Sequence, residues 1–285
     1  MSDELFHSER PRLLGLAYRL LGGRSDAEDV LQEAWLRWSS ADQEQIANPA
    51  GWLTTVVTRL AIDRVRQVER RREAYVGPWL PEPISTEHTP EEHSELAESL
   101  TLGFLVVLDS LAPVERAVLL LADVFSEPYT VISAAVGKSE AACRQIASRA
   151  RRKVRARPAP APGREAAGLV GELLAALAAG DEARVVRLLD PDVVLVTDGG
   201  PHRHAARRPV VGSYRVGRFL GNLARRLGPE PVRIATVNAE PAFVIDDPGG
   251  SVVVSGEARE GALVRLWVRL NPDKVASLNQ PLDLV

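Results

Sequence analysis

Arginine is the residue type whose placement carries chemistry in this chain. Arg59, Arg66 and Arg70 recur at steps of seven and four, with Arg64, Arg71 and Arg72 beside them. On a helix that spacing lays guanidinium groups along one face, where they can neutralise a run of phosphates. A second set lies between Lys138 and Arg157, where eight basic residues meet Glu140 alone, a local net of +7. Within it Arg144, Gln145, Ser148, Arg149 and Arg152 share the polar side of a helical period. Such side chains can make bidentate hydrogen bonds to base edges and charged contacts to phosphates in a major groove. The 285 residues carry a formal net charge of only −3, so the basic surface is concentrated and acid offsets it elsewhere.

The elements that must position these groups follow from periodicity and punctuation. Leu13, Leu16, Ala17 and Leu20 predict a helix from Pro11 to Leu21, stopped by Gly22-Gly23. Ser25 and Glu28 have capping-box spacing and predict the start of a second helix. Its apolar stripe is Ala27, Val30, Leu31, Ala34, Trp35 and Trp38, and its opposite face holds Asp26, Asp29, Gln32 and Glu33. Asn48-Pro49 opens the first arginine helix, with Trp52, Val56 and Leu60 as the buried line. Leu100–Leu111 and Pro113–Val124 predict two more helices. Thr130–Val136, a turn at Gly137 and a helix capped by Ser139 then make a helix-turn-helix, in which Ala142, Cys143, Ile146 and Ala150 face inward.

Composition shifts mark the joints. Tyr75 to Ser99 is rich in proline and glutamate, with Trp79 set among prolines and followed by Glu87, Glu91, Glu92, Glu95 and Glu98. An indole in an extended segment normally has a pocket to enter, which predicts docking of Trp79. Pro158–Gly163 is a stiff spacer. Beyond it, helices at Glu165–Ala179 and Glu182–Leu189 precede a strand at Val193–Thr197, a helix near Gly212–Leu227 and four strand-like runs from Val232 to Leu270. That order predicts an α+β domain whose curved sheet wraps helices into a cone. The single cysteine, Cys143, excludes an internal disulfide, and no apolar run is long enough to span a bilayer. Met1–Pro11 is charged and lacks an apolar signal core, so a cytoplasmic, non-membrane protein is expected.

These segments resemble those of an extracytoplasmic-function sigma factor, a small bacterial transcription initiation factor. The run from Ser25 to Arg37 is similar to the region-two helix that clamps the RNA polymerase β′ subunit, which implies Asp26, Asp29, Gln32 and Glu33 as polymerase contacts. Asn48–Arg72 resembles the segment that opens and reads the minus-ten element, and Tyr129–Val154 the region-four reader of the minus-thirty-five element. The resemblance implies DNA contacts at Arg59, Arg64, Arg66, Arg70, Arg71, Lys138, Arg144, Gln145, Ser148, Arg149 and Arg152, with strand capture around Ser40–Asn48. Thr58 stands where the family has asparagine and Ser133 where it has alanine. The remainder resembles a SnoaL-like domain. Sigma factors carrying one show three motifs, standing here as Trp79-Leu80-Pro81-Glu82-Pro83, Asp198-Gly199-Gly200 and Asn271-Pro272-Asp273-Lys274, with Pro201-His202-Arg203 departing from the usual glycine and lysine.

The expected fold is therefore multidomain: two all-α sigma domains (a region-two bundle and a region-four helix-turn-helix) and a C-terminal α+β cone-shaped SnoaL-like domain. Its divisions are 1–75, a linker at 76–99, 100–157, a spacer at 158–163, and 164–285. The implied partners are RNA polymerase core, through β′ and β, and promoter DNA, the free protein being a monomer. Contact between the three motifs is expected to tie the last domain to the linker and modulate activity. No cofactor or metal is expected. Two other readings compete. SnoaL relatives include cyclases, for which Asp198, His202 and His204 are the available acid-base groups, and the cone offers room for a small-molecule ligand. A one-component DNA-binding regulator with a sensor domain accounts for Tyr129–Val285 but leaves Ser25–Arg72 without a role.

Overall fold

The computed structural model describes residues 2–72, 75–86, 98–156 and 163–279. Glu87, Glu91, Glu92, Glu95, most of the Pro158–Gly163 spacer and the Arg71 side chain lie outside the described residues. The chain divides into two compact units. One comprises residues 2–72 and 98–156, the other 75–86 and 163–279.

The first unit is all helix. Helix α1 (Ser2–Leu21) begins well before the predicted start and runs through Pro11. Phe6 is buried against Trp35, ring centroids 4.9 Å apart, and this packing stabilises a turn that the local sequence alone would end at the proline. Helix α2 (Arg24–Ser40) starts at the N-cap Gly23, so the capping box expected at Ser25 does not form. Glu28 pairs instead with Arg24, one turn earlier, at 2.9 Å. Helix α3 (Pro49–Arg72) is capped by Asn48, whose Oδ1 accepts from the Gly51 amide at 3.0 Å. Its buried line is Leu53, Val57, Leu60, Val65 and Val68, while Trp52 and Val56 are only half-buried. Leu60 belongs to the predicted line as well, but Leu53 and Val57 take the places of Trp52 and Val56, since α3 packs against a later helix as well as against α1 and α2.

Helices α4 (Leu102–Asp109) and α5 (Pro113–Leu119), the latter continued by a π turn at Leu120–Val124, floor the helix-turn-helix. This consists of α6 (Tyr129–Val136) and α7 (Glu140–Arg155). Gly137 joins them at φ 66°, a left-handed conformation that glycine adopts without strain, and Ser139 caps α7 through the Ala142 amide. Cys143, Ile146, Ala147 and Ala150 form the buried stripe of α7, with Ala142 half-buried at its edge.

The second unit is a six-stranded sheet carrying helices. Helices α8 (Gly163–Ala179) and α9 (Glu182–Arg187) lead into β1 (Leu189–Asp198), β2 (Val210–Val211) and α10 (Ser213–Leu227). Strands β3 (Val232–Val237), β4 (Glu240–Ile245), β5 (Val252–Arg259) and β6 (Ala262–Arg269) follow, then a short α11 (Pro272–Val275). The order is β2-β1-β6-β5-β4-β3. The sheet is mixed, because β1 pairs in parallel with β6 after the chain has crossed through α10. Strand β2, only two residues long, has too little pattern to be read from sequence. One aliphatic cluster lies between the sheet and α8 and α10; a smaller one includes Val253, Val275 and Leu278.

Candidate functional site

In the helical unit the predicted contact residues fall into two groups. On α7, Arg144, Gln145, Ser148, Arg149 and Arg152 are all exposed, as is Lys138 in the turn before it. Arg144 is partly engaged, bonded to Glu140 at 2.7 Å with its guanidinium 4.7 Å from the Tyr129 ring centroid. Arg151 and Lys153 are tied to Asp123 and Glu115. On α3, Arg66 and Arg70 are exposed. Arg59 is also on the surface, but it donates to the carbonyls of Ala134 (2.7 Å) and Ala135 (3.4 Å) at the C-terminus of α6, where a cation complements the helix dipole. Arg64 turns to α2 and pairs with Asp29 at 2.6 Å and Asp26 at 3.4 Å. Spacing along α3 identified both as outward-facing cations, but their protein partners depend on which helices pack alongside. Thr58 is fully buried, so as folded it offers no base contact.

Buried and half-buried arginines hold these helices together. Arg12 of α1 reaches Glu127 at 2.9 Å and Thr54 at 2.9 Å. Arg19 donates to Ser99 and to the Gly15 carbonyl, and burial lowers its pKa to about 10. Arg116 closes the end of α1 through the Leu20 carbonyl at 2.7 Å and pairs with Asp109 at 3.1 Å. Asp109 also meets Arg72 at 2.6 Å. Burial pushes the Asp109 carboxyl up, but Arg72 and Arg116 outweigh it and hold the pKa below the usual range.

On α2, Asp29, Gln32 and Glu33 form an exposed face. Glu33 pairs with Arg37 at 2.6 Å. Leu36 lies one turn beyond Gln32 and Glu33 on that face and is 62% exposed. Motif spacing does not single it out; its signal is a leucine lying outside the apolar stripe.

The three short motifs meet in the second unit. The Lys274 ammonium donates to Asp198 Oδ2 at 2.6 Å and to the Leu80 carbonyl at 2.6 Å. It sits 3.4 Å from the Trp79 ring centroid and 5.0 Å from that of Tyr75. The Lys274 and Asp198 side chains are 5% and 0% exposed, so the pair is a buried one with aromatic walls. Asp198 also accepts from the Leu80 amide at 2.8 Å, the Tyr75 hydroxyl at 2.5 Å and the Gly200 amide at 3.3 Å. Asn271 donates to the Tyr75 oxygen at 2.8 Å and caps α11 through the Asp273 amide. Burial, followed by the bond to Asp198, raises the Tyr75 pKa, so the phenol remains a donor.

Local sequence explains why this clamp closes. Gly200 has φ 56°, and a Cβ there would lie 2.6 Å from Asn271 Nδ2. At Gly199 a Cβ would lie 2.7 Å from both the Arg203 carbonyl and Ala205. Pro81 and Pro83 are buried, Glu82 half-buried and Pro272 half-buried. Ser85 bridges Val237 on β3, the Thr86 amide donates to Thr236 and Thr86 Oγ1 accepts from the Ala239 amide. Tyr75 and Ile84–Thr86 were not singled out in sequence, although they flank the motif directly. The departing residues lie outside the clamp. His202 is exposed and faces Asp273 at 3.3 Å, and Arg203 holds Asp247 and the Gly250 carbonyl.

A cavity of about 40 Å³ lies between α8, α10 and the sheet, lined by aliphatic side chains such as Leu173, Leu177, Leu220 and Ile245. Asp198, His202 and His204 are not among its lining residues. No helix among the described residues is long and apolar enough to cross a membrane, and none of their His, Cys, Asp and Glu side chains form a group of three able to hold a metal ion.

Comparison with known proteins agrees with this geometry. Residues 5–72 match the sigma-70 region 2 family and residues 103–154 the sigma-70 region 4 family. Two such regions in this order define a sigma-70-type transcription initiation factor. The chain is 42% identical to the ECF RNA polymerase sigma factor SigJ of Mycobacterium tuberculosis (strain ATCC 25618 / H37Rv), covering 94% of this chain and 91% of that protein. It is 31% identical to the probable ECF RNA polymerase sigma factor SigI of M. tuberculosis (strain CDC 1551 / Oshkosh), covering 97% and 96%. The crystal structure of M. tuberculosis SigJ superposes with a TM-score of 0.75 at 38% identity, covering 98% of this chain and 99% of that one. The chain belongs to the extracytoplasmic-function RNA polymerase sigma factors: it is an alternative sigma factor that binds RNA polymerase core and promoter DNA, built of helical regions two and four and a C-terminal mixed-sheet domain.

Proposed function

We propose that the C-terminal domain regulates initiation by holding the segment that joins regions two and four. The observation carrying this reading is the Lys274 ammonium, buried between Asp198 and the Leu80 carbonyl under the Trp79 ring. A chain segment whose backbone amide and carbonyl are both bonded inside one domain is not free to follow another path. Opening the clamp exposes a buried ion pair, so the two states are discrete. The domain therefore acts as a regulator and has no enzymatic role. Asp198 already accepts four hydrogen bonds, which leaves no support for its use as a catalytic base. A small-molecule ligand in the cone would have to be apolar and would have to enlarge the 40 Å³ cavity.

In this reading regions two and four and the C-terminal domain occupy 1–75, 100–157 and 164–285, joined at 76–99 and 158–163. The protein works in the cytoplasm. The α2 face of Asp26, Asp29, Gln32 and Glu33, extended by Leu36, meets the polymerase β′ subunit, and region four lies near β. Arg66, Arg70, Arg71 and the exposed face of α7 contact DNA, while Arg59 and Arg64 exchange their present protein partners for phosphate. Promoter-directed transcription with core polymerase tests the regulatory claim, comparing the full chain with Lys274→Ala and Trp79→Ala. Both variants should shift the yield in the same direction by several-fold. Unchanged yield in variants whose clamp is shown to be open would end the proposal.

A further inference from the structure

The second unit carries a basic face that neither sigma region nor the clamp uses. From Gly199 to Pro229 the chain contains seven arginines and no carboxylate. Arg203 is consumed by Asp247. The other six, Arg207, Arg208, Arg215, Arg218, Arg225 and Arg226, are exposed, and none has a carboxylate partner among the described residues. Elsewhere the basic surface is partly offset: on α7 three of the cations, Arg144, Arg151 and Lys153, are paired with an acid, and on α9 Arg184 is paired with Glu172, whereas on α10 none of the four is. The carboxylates that bound this stretch in the chain are Asp198, which is engaged by Lys274 and Tyr75, and Glu230, and no ion pair joins either to the six.

Four of these cations are on α10. Arg215, Arg218, Asn222 and Arg225 follow at steps of three, four and three, with Arg226 beside them, and Arg225 is bonded to Asn222. They share the face opposite the buried Val216 and Leu220. At 1.5 Å per residue the row is about 15 Å long, enough to meet several phosphates of a strand that carries one per about 3.4 Å of axis. An anionic membrane would require the apolar side of the helix to enter the lipid. That side is committed to the core, where Leu223 and Leu227 join Val216 and Leu220, and only Tyr214 projects, 72% exposed. We propose that the arginine face of α10, with Arg207 and Arg208 before it, is a sequence-independent binding site for the phosphate backbone of duplex DNA, additional to the sites in regions two and four.

The test uses the full chain and a labelled 30-base-pair duplex of random sequence, with binding followed by fluorescence anisotropy across a potassium chloride series. Replacing Arg215, Arg218, Arg225 and Arg226 together by Gln should weaken binding at least tenfold at low salt. It should also flatten the log–log salt dependence by up to about 3.6, since each phosphate that is no longer neutralised lowers the slope by about 0.9. The quadruple Lys variant should retain most of both. The Gln variant must keep the wild-type thermal midpoint. If it does not, Tyr214 replaced by photoreactive benzoylphenylalanine in an otherwise intact chain should crosslink to the duplex. An unchanged salt slope in a folded Gln variant would overturn the site. So would a 214 probe that fails to label DNA, or Arg-dependent binding to phosphatidylglycerol vesicles with duplex binding unaltered.

Discussion

Two regions of this protein use a cation held against a protein anion, and they differ in burial. In the second unit Lys274 and Asp198 are out of water, walled by Trp79 and Tyr75, and every polar atom of the carboxylate is used. In the helical unit Arg64 and Asp29 are 29% and 56% exposed, and the Arg59 guanidinium sits on helix-end carbonyls at the surface. A pair in water is worth little and trades partners readily, whereas removing one member of a buried pair strands a charge. The first arrangement suits a latch, the second a surface that gives up its internal partner when a phosphate arrives.

The largest effect should come from breaking the latch. Lys274→Met leaves Asp198 buried without its cation and should cost about 3–5 kcal/mol, read as a lowered denaturation midpoint of the second unit and faster proteolysis within residues 75–86. Adding Asp198→Asn should recover part of that loss; a larger loss in the double variant would contradict the latch. Next is Gly200→Ala. It forces alanine to φ 56° and drives its Cβ onto Asn271, an expected cost of about 1–3 kcal/mol for the backbone alone. The ordinary replacement cost of an exposed turn residue would mean that Asn271 moves freely.

A smaller effect belongs to acid. Because Arg72 and Arg116 depress the Asp109 pKa against its burial, the stability it contributes is complete above the unfolded value of about 3.9 and disappears as pH falls through the lower folded value. The difference in thermal midpoint between wild type and Asp109→Asn should therefore be constant above that range and shrink below it. A difference that grew on acidification would reverse the assignment. The smallest stability effect is expected at Arg64→Ala, under about 1 kcal/mol, and it should fade with added salt. Transcription by the same variant should fall by a larger factor if Arg64 releases Asp26 and Asp29 to meet DNA; an equal, small change in both would leave it a surface ion pair.

Much of the architecture was legible because it is local. The helix-turn-helix can be read from Gly137, Ser139 and the spacing of Cys143, Ile146 and Ala150, since a left-handed turn, a cap and a 3.6-residue stripe need no distant partner. The four strand-like runs between Val232 and Leu270 likewise became β3 to β6, which span Val232 to Arg269. Local signals also misled. Ser25 and Glu28 have cap spacing, yet Gly23 starts the helix and Arg24 takes Glu28. Pro11 suggested a beginning where the burial of Phe6 on Trp35 carries the helix further back.

By itself, then, the sequence determined which segments are helix, turn or strand and where cations concentrate, because dihedral preference and amphipathic period act over a few residues. Tertiary structure decided partners. That Lys274 meets Leu80 across 194 residues, that Tyr75 joins Asp198, that Arg59 faces α6 and not solvent alone, and that β1 runs parallel to β6 all depend on how elements pack. A charge pairs with whatever lies within a few ångströms, and that neighbourhood exists only after the chain has folded.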